Sequence, residues 1–387
     1  MFESITIKIN NSSNPLDIGY LAECLLFYDK TSLLIDKDSL TNLFRLCGVD
    51  EIYELIQRGN LSIQTRGNIL GAGQREDTFF VDLFSATNVD KHRETFYDAF
   101  LGLYGKQGKA KRNAQRFISM TSPYVCDNNV VKDIKDSIKD KALIKKIINN
   151  FICQIGLENE VIGEQWFYEF LPIDSYSFKH KTNLNLEFIK DVANAKQFHF
   201  DFSPTSLLLN VSESLGDVYL SEYNKSEIFT TPLNSQIISL KFENLFNNAN
   251  INKEQISNFQ KLALPSYKNI ETIINKGEKT YSDLIKLIDK AEKFRKWKNE
   301  IKSESDFIEE YSKAIATESW VDKMPTKVGR FVIFEGVGIL LDVLGAGGIG
   351  TAVATTLGTA DSFLLDSLIK KWKPNQFVKG DYMKFVK

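Results

Sequence analysis

The sequence predicts an α+β fold, with a small mixed sheet and flanking helices over residues 1–203 and a mostly helical region over residues 204–387. Three features carry that reading. Short runs in the first region alternate apolar and polar residues, as Ile5, Ile7 and Ile9 do against Thr6, Lys8 and Asn10, which is the period of a half-buried strand. Between these runs, apolar residues recur every three to four positions, the period of an amphipathic helix. After Ser203-Pro204, a good helix opening, only the helical period is found. Strands interspersed with helices in this way do not suit a sandwich or a barrel.

The first strand leads into a helix over Pro15–Tyr28, with Leu21, Cys24 and Leu25 on one face. Ser32–Ile35 is a short strand. Asp38 or Ser39 caps a helix that runs to Leu46 and stops at Gly48, and a further short helix over Asp50–Arg58 ends at Gly59-Asn60. Leu61–Thr65 and Thr78–Phe84 are neighbouring strands, and the Gly-rich stretch Arg66–Glu76 reads as the loop between them. Asp90–Tyr104 places Phe96, Phe100 and Leu103 at helical spacing, and Gly105–Arg112 reads as a flexible basic connector. Two helices broken near Asp140 fill Asp127–Ile155. Glu164–Pro172 and Lys196–Phe202 read as strands, the second with Phe198, Phe200 and Phe202 on one face and His199 and Asp201 on the other.

Helices follow at about Pro204–Leu215, Ser235–Phe246, Lys253–Leu262 and Tyr267–Asn275. A single long helix is expected over Tyr281–Lys302, opened by a Thr280/Asp283 capping pair and striped by Leu284, Leu287, Ile288, Ala291, Phe294 and Trp297. Its other face carries Lys286, Lys290, Lys293, Lys296 and Lys298. The aromatics lie inside the apolar stripe and read as core anchors, not as a platform for nucleic acid or lipid.

Phe331–Leu365 departs most from the rest. Val343–Ala360 holds no charged residue, and roughly 20 apolar residues suffice to cross a bilayer. Its Gly, Ala and Thr contribute little transfer free energy, however, and Asp342 would cost about 2.5–3.5 kcal/mol inside a membrane. The expectation is a helical hairpin over residues 326–372, turned at Gly345, Gly347, Gly348 and Gly350, either buried as core or concealed until it enters a membrane. The match to G-x-G-x-x-G is set aside, because Asp361 and Asp366 come too early for a ribose contact and Pro374 interrupts the place of the second strand.

A net charge of −2 gives no overall drive toward nucleic acid or anionic lipid. Cys24, Cys47, Cys126 and Cys153 are scattered without a C-x-x-C, and the start lacks a basic and an apolar signal region, so a reducing cytoplasm is expected. His92, His180 and His199 have no metal-ligand spacing, and no phosphate-binding loop or nucleophile elbow is found; no metal or cofactor is expected.

Two sets of residues are candidates for chemistry. Glu164, Glu169 and Asp174 cluster around an aromatic strand, and His199 and Asp201 share a strand face. Carboxylates and imidazole are the groups that general acid–base work and metal-dependent hydrolysis use. Arg66, Gly71, Gly73 and Arg75 offer guanidinium forks and exposed N–H groups, the parts of an anion-binding loop. The leading functional expectation is action through protein–protein contact, with a protein partner or a second copy. The alternatives are an effector that engages a membrane through residues 331–372, and a hydrolase or nuclease whose site is assembled from distant residues. Nucleic acid is not expected as a binding partner.

Overall fold

The structure, a computed structural model, describes residues 3–9, 15–85, 89–157, 166–174, 177–198, 200–242, 248–263, 268–301, 307–308, 310–311 and 373–387. The hairpin expected over residues 326–372, Glu164 and His199 lie outside the described residues.

The protein is α+β, with mixed strands in two sheets. The first is parallel, in the order β6-β3-β2-β1-β9. Strand β1 (Ser4–Lys8) is followed by α1 (Ile18–Phe27), β2 (Lys30–Ile35), α2 (Lys37–Cys47), α3 (Val49–Gln57) and β3 (Leu61–Arg66). Asp17 and Asp36 cap α1 and α2 by accepting the N–H groups of Tyr20 and Ser39, and Gly48 ends α2 with φ 92°. The register places Ile5, Ile7, Leu33, Ile35, Leu61 and Ile63 on one face, which forms one core with α1, α2 and α3. The other face is mostly polar, with Thr6, Ser32 and Ser62 side by side and Gln64 one step further along.

The second sheet is antiparallel, in the order β4-β5-β8-β7. Strands β4 (Asn68–Arg75) and β5 (Thr78–Ser85) form a hairpin that leaves the parallel sheet at the end of β3. The expected loop at 66–76 is therefore mostly strand, closed by a two-residue turn at Glu76-Asp77 with Glu76 at φ 55°. Its glycines serve cross-strand contact. The Phe84 and Phe80 rings lie across Gly71 and Gly73, where an added Cβ would stand 2.7 Å and 2.5 Å from them.

Helix α4 (Val89–Tyr104) ends at Gly105 with φ 63°, and α5 (Gln107–Ile118) begins at once. The basic stretch read as a connector is thus helical. Ala110, Ala114 and Phe117 are buried at helical spacing, and the lysines face out. After β6 (Ser122–Tyr124) come α6 (Asn129–Lys139) and α7 (Lys141–Gln154), then β7 (Tyr168–Pro172) and β8 (Ser177–Thr182). Helix α8 (Leu186–Ala195) closes with Gln197 at φ 56° and with Phe198 N–H returning to the Ala193 carbonyl. That helix ending takes Lys196 and Gln197 out of the strand expected over Lys196–Phe202, and the described residues there form none. Phe198 and Phe200 instead pack in a loop against Phe151, and Phe202 packs against both.

Helix α9 (Pro204–Asn224) is the longest element of the described residues and joins the two sheets. Leu207, Leu208, Val211 and Leu215 belong to the second core, while its end covers the polar face of the parallel sheet. There the Asn224 amide exchanges hydrogen bonds with Gln64 at 2.7 and 3.2 Å and donates to Thr6 at 3.0 Å. Strand β9 (Glu227–Phe229) then pairs with β1, a strand past residue 204 that periodicity does not reveal in three residues. Helices α10 (Pro232–Lys241), α11 (Asn248–Ala263) and α12 (Ile270–Asn275) follow.

The long helix expected from Tyr281 is two helices, α13 (Tyr281–Lys290) and α14 (Glu292–Asn299), with the predicted capping box present at Thr280. Lys298 stands one turn past Phe294 on the same side of α14, so one member of the expected lysine face is fully buried. The C-terminal segment α15 (Pro374–Phe377), a π-helical turn (Val378–Tyr382) and α16 (Met383–Val386) close over the first core. Among the described residues no helix is long and apolar enough to cross a membrane.

Candidate functional site

The strand order reverses beside β1. From β1 the chain builds outward through β2, β3 and β6, then returns to place β9 on the other side. In open parallel sheets the carboxyl ends of the strands at such a reversal form the usual ligand crevice. Lys8 closes β1 on the polar face, and Thr230 and Asn234 follow β9. Asp217 reaches the same place from α9.

These four side chains form one cluster. Lys8 is ion-paired with Asp217 Oδ1, and the Thr230 hydroxyl donates to Asp217 Oδ2. The Asn234 amide lies 3.4 Å from the same oxygen. Asp217 and Asn234 are each only 1 % exposed. A carboxylate at that depth persists only with such compensation. Asn234 Oδ1 is also buried and finds no donor among the described residues, while Asn234 N–H is held by its helix cap, Thr231. On the opposite sheet face Tyr20 and Phe229 meet with ring centroids 4.8 Å apart. Lys253 Nζ lies 4.1 Å from the Tyr20 ring and 5.0 Å from the Phe229 ring.

Two grooves lie elsewhere. One, of about 350 Å³, runs along the amino edge of the parallel sheet and is lined by Asp29, Arg58, Asp289, Arg295 and Asn299 among others. Its cations are engaged. Arg58 pairs with Glu54 and Asp289, and Arg295 donates to the carbonyls of Tyr28 and Asp29 at 2.9 and 3.0 Å. The second, of about 530 Å³, lies between α6, α7 and α10. In it Lys241 Nζ donates to the Ser137 hydroxyl, and burial holds the Lys241 ammonium below its ordinary pKa. Lysine beside serine resembles a base and its nucleophile. Acyl transfer also needs donors for the developing oxyanion. The nearby N–H groups of Ala142 and Leu143 are occupied by Asp140, and the Ser137 hydroxyl bonds the Asp133 carbonyl at 2.5 Å. The pair reads as a tie between helices.

The residues singled out in the sequence are dispersed. Glu169 on β7 pairs with Lys141 at 2.9 Å, Asp174 accepts the Ser177 N–H in the turn that follows, and Asp201 accepts the Ser203 N–H before α9. Arg66 ends β3 and Arg75 ends β4, so the seven residue steps of β4, about 23 Å, lie between them. Neither groove is lined by any of these residues. No group of three or more His, Cys, Asp or Glu side chains among the described residues is placed to hold a metal ion.

Sequence reasoning missed Lys8 and Asp217. Lys8 reads as the solvent-facing half of an alternating strand. Asp217 carried one overlooked signal: it sits among Leu215, Leu220, Ser212 and Ser214 in a helix poor in charge. No family model matches this chain, and no curated protein or solved structure is detectably similar to it.

Proposed function

We propose that the protein binds a small polar molecule at the carboxyl edge of its parallel sheet, between β1 and β9. The observation that carries the reading is the buried Lys8–Asp217–Thr230–Asn234 cluster at the strand-order reversal, with one acceptor still open at Asn234 Oδ1. An open buried acceptor selects a ligand that carries a hydroxyl or amine donor. The neutral sum of Lys8 and Asp217 favours an uncharged polyol or nucleoside moiety over a bare anion. The three buried free thiols Cys24, Cys47 and Cys126 suit a reducing compartment, and the proposal places the protein in the cytoplasm. The test is a thermal-shift panel of sugars, nucleosides and their phosphates on wild type and on Asn234→Leu. A ligand that raises the wild-type midpoint and not that of the folded variant supports the site. Equal shifts in both, or no shift with any compound, sink it.

A second reading, action through protein contact, rests on the outer face of the β4–β5 hairpin. Ile69 and Phe84 stand opposite each other there, 47 % and 49 % exposed, on the edge of the antiparallel sheet. Edge strands with apolar faces pair readily with other chains. If this face is used, Phe84→Lys abolishes any self-association seen by light scattering without lowering thermal stability; an unchanged mass removes the reading for a second copy.

A further inference from the structure

Glu23 lies in the apolar layer under the parallel sheet, on α1, with Leu21, Ala22, Cys24 and Leu25 around it, and is 3 % exposed. Gln260 on α11, 4 % exposed, donates its amide to Glu23 Oε2 at 2.7 Å. Gln260 Oε1 is buried and meets no donor among the described residues. An ionised carboxylate only accepts, so it would leave that oxygen without a donor and a buried charge on a single hydrogen bond. A carboxylic acid carries the missing proton.

The groups that face Glu23 favour the neutral form. Tyr20 and Cys24 come from α1 itself, and Asp17 caps it. Glu271 comes from α12 and Tyr382 from the C-terminal π-helical turn. Lys253 on α11 is the cation of the set, and it lies over the Tyr20 and Phe229 rings. Burial is the main cause that raises Glu23 to about 7, only partly opposed by the Gln260 amide and Lys253.

We propose that Glu23 stands in the folded protein as a carboxylic acid that donates its proton to Gln260 Oε1 while accepting from Gln260 Nε2, and that ionising this acid releases α11 from α1. The pair is a pH-responsive clasp between two helices. Because α11 also carries Lys253 to the carboxyl edge, opening the clasp withdraws a side chain from beside β9. The clasp exists whether or not a ligand binds at that edge, and its test uses none.

Hydrogen exchange of the full chain, corrected for intrinsic rates and referenced to α2, is measured from pH 5.5 to 8.5. Protection of α11 is expected to fall by up to about tenfold per pH unit as pH rises toward 7 and to level off above it, while α2 holds. Glu23→Gln keeps both hydrogen bonds at every pH, so its α11 protection stays flat. A pH-independent α11 in wild type, or the same fall in Glu23→Gln, overturns the proposal. Should the variant not fold, the infrared carbonyl band of a buried carboxylic acid decides in wild type. Presence at pH 5.5 and loss by pH 8.5 in step with α11 protection supports the clasp; a protein without the band at pH 5.5, or one that keeps it unchanged, refutes it.

Discussion

The two edges of the parallel sheet both bury lysine beside aspartate, yet they use the pair differently. At the amino edge Lys298, fully buried, donates to the Phe27 carbonyl at 2.7 Å, and Arg295 donates to Tyr28 and Asp29. These are the last carbonyls of α1 and the turn after it, so the cations complete a helix C-terminus, where positive charge is favoured. Asp29, 38 % exposed, takes the longer second contacts of both cations, 3.4 Å from Arg295 and 3.6 Å from Lys298, and accepts from the Asn299 amide. At the carboxyl edge the donors converge on one side chain. Lys8, Thr230 and Asn234, on or beside three different elements, all point at Asp217. The amino edge has the groove, but its buried cations Lys298 and Arg295 donate to backbone carbonyls and the carboxylate beside them is part exposed. At the carboxyl edge the polar groups serve each other and leave one acceptor, Asn234 Oδ1, without a donor among the described residues.

The largest expected effect tests that contrast directly. Asp217→Ala removes the carboxylate paired with Lys8, which is only 15 % exposed, and breaking a buried pair by removing one partner costs about 3 kcal/mol. Asp29→Ala removes a carboxylate that is 38 % exposed, and Lys298 keeps its carbonyl, so the cost is about 1 kcal/mol or less. Urea unfolding of the two variants measures both. Equal losses would show that the two edges are held in the same way.

The next effect concerns a half-buried titratable group whose ring faces aromatic neighbours. His180 on β8 sits among Phe79, Tyr168 and Phe170, and its Nε2 finds no partner among the described residues. Burial lowers its pKa from 6.5 to about 4. The folded state therefore binds this proton more weakly than the unfolded chain. The associated stability is full above pH 6.5 and is lost as pH falls through 4, an effect of about 2 kcal/mol for a partly exposed ring. His180→Phe should remove that acid limb while leaving stability at pH 8 nearly unchanged; a limb that persists assigns acid sensitivity elsewhere. His92 contributes in the same direction, since burial lowers it too. Its ring is braced between Thr65 at 2.7 Å and Thr121 at 3.2 Å. Thr121 already donates to the Phe117 carbonyl, so it accepts from His92 Nε2–H, and Thr65 donates to Nδ1.

What the sequence made legible was whatever local periodicity encodes. The alternation around Ile5 and Ile7, the stop at Gly48, the break at Asp140, the Ser203 cap and the Thr280 capping box all stand where the residues place them. Illegible features depend on partners far along the chain. Lys8 and Asp217 are 209 residues apart, and neither carries a local sign of the other. β9 is strand because β1 offers an open edge, not because Glu-Ile-Phe is long enough to insist on it. Phe198, Phe200 and Phe202 mislead for the converse reason: alternate rings suit a loop that lies on a core as well as a strand that crosses one. The glycines of β4 carried a signal that was assigned to a loop, although the phenylalanines that use them, Phe80 and Phe84, lie on the very next strand.

The smallest effects separate the two readings of that hairpin. If Gly73 is present to let the Phe80 ring lie flat on β4, then Gly73→Ala forces the ring to move from a site where the new Cβ would stand 2.5 Å away. Overpacking of this kind costs about 1 kcal/mol, and a ring that can swing outward keeps it from being more. If instead Gly73 were needed as an exposed N–H in an anion-binding loop with Arg75, alanine would be tolerated and Arg75→Ala would weaken phosphate binding. The structure places Arg75 exposed at the hairpin tip, so its replacement should change stability by less than about 0.5 kcal/mol. Denaturant midpoints of the two variants, read beside phosphate titration of wild type and Arg75→Ala, therefore divide cleanly. A cost at Gly73 with no effect at Arg75 assigns the glycines to the aromatic contact. Loss of phosphate binding at Arg75 with a silent Gly73→Ala would return the hairpin to the anion-binding role its sequence suggests.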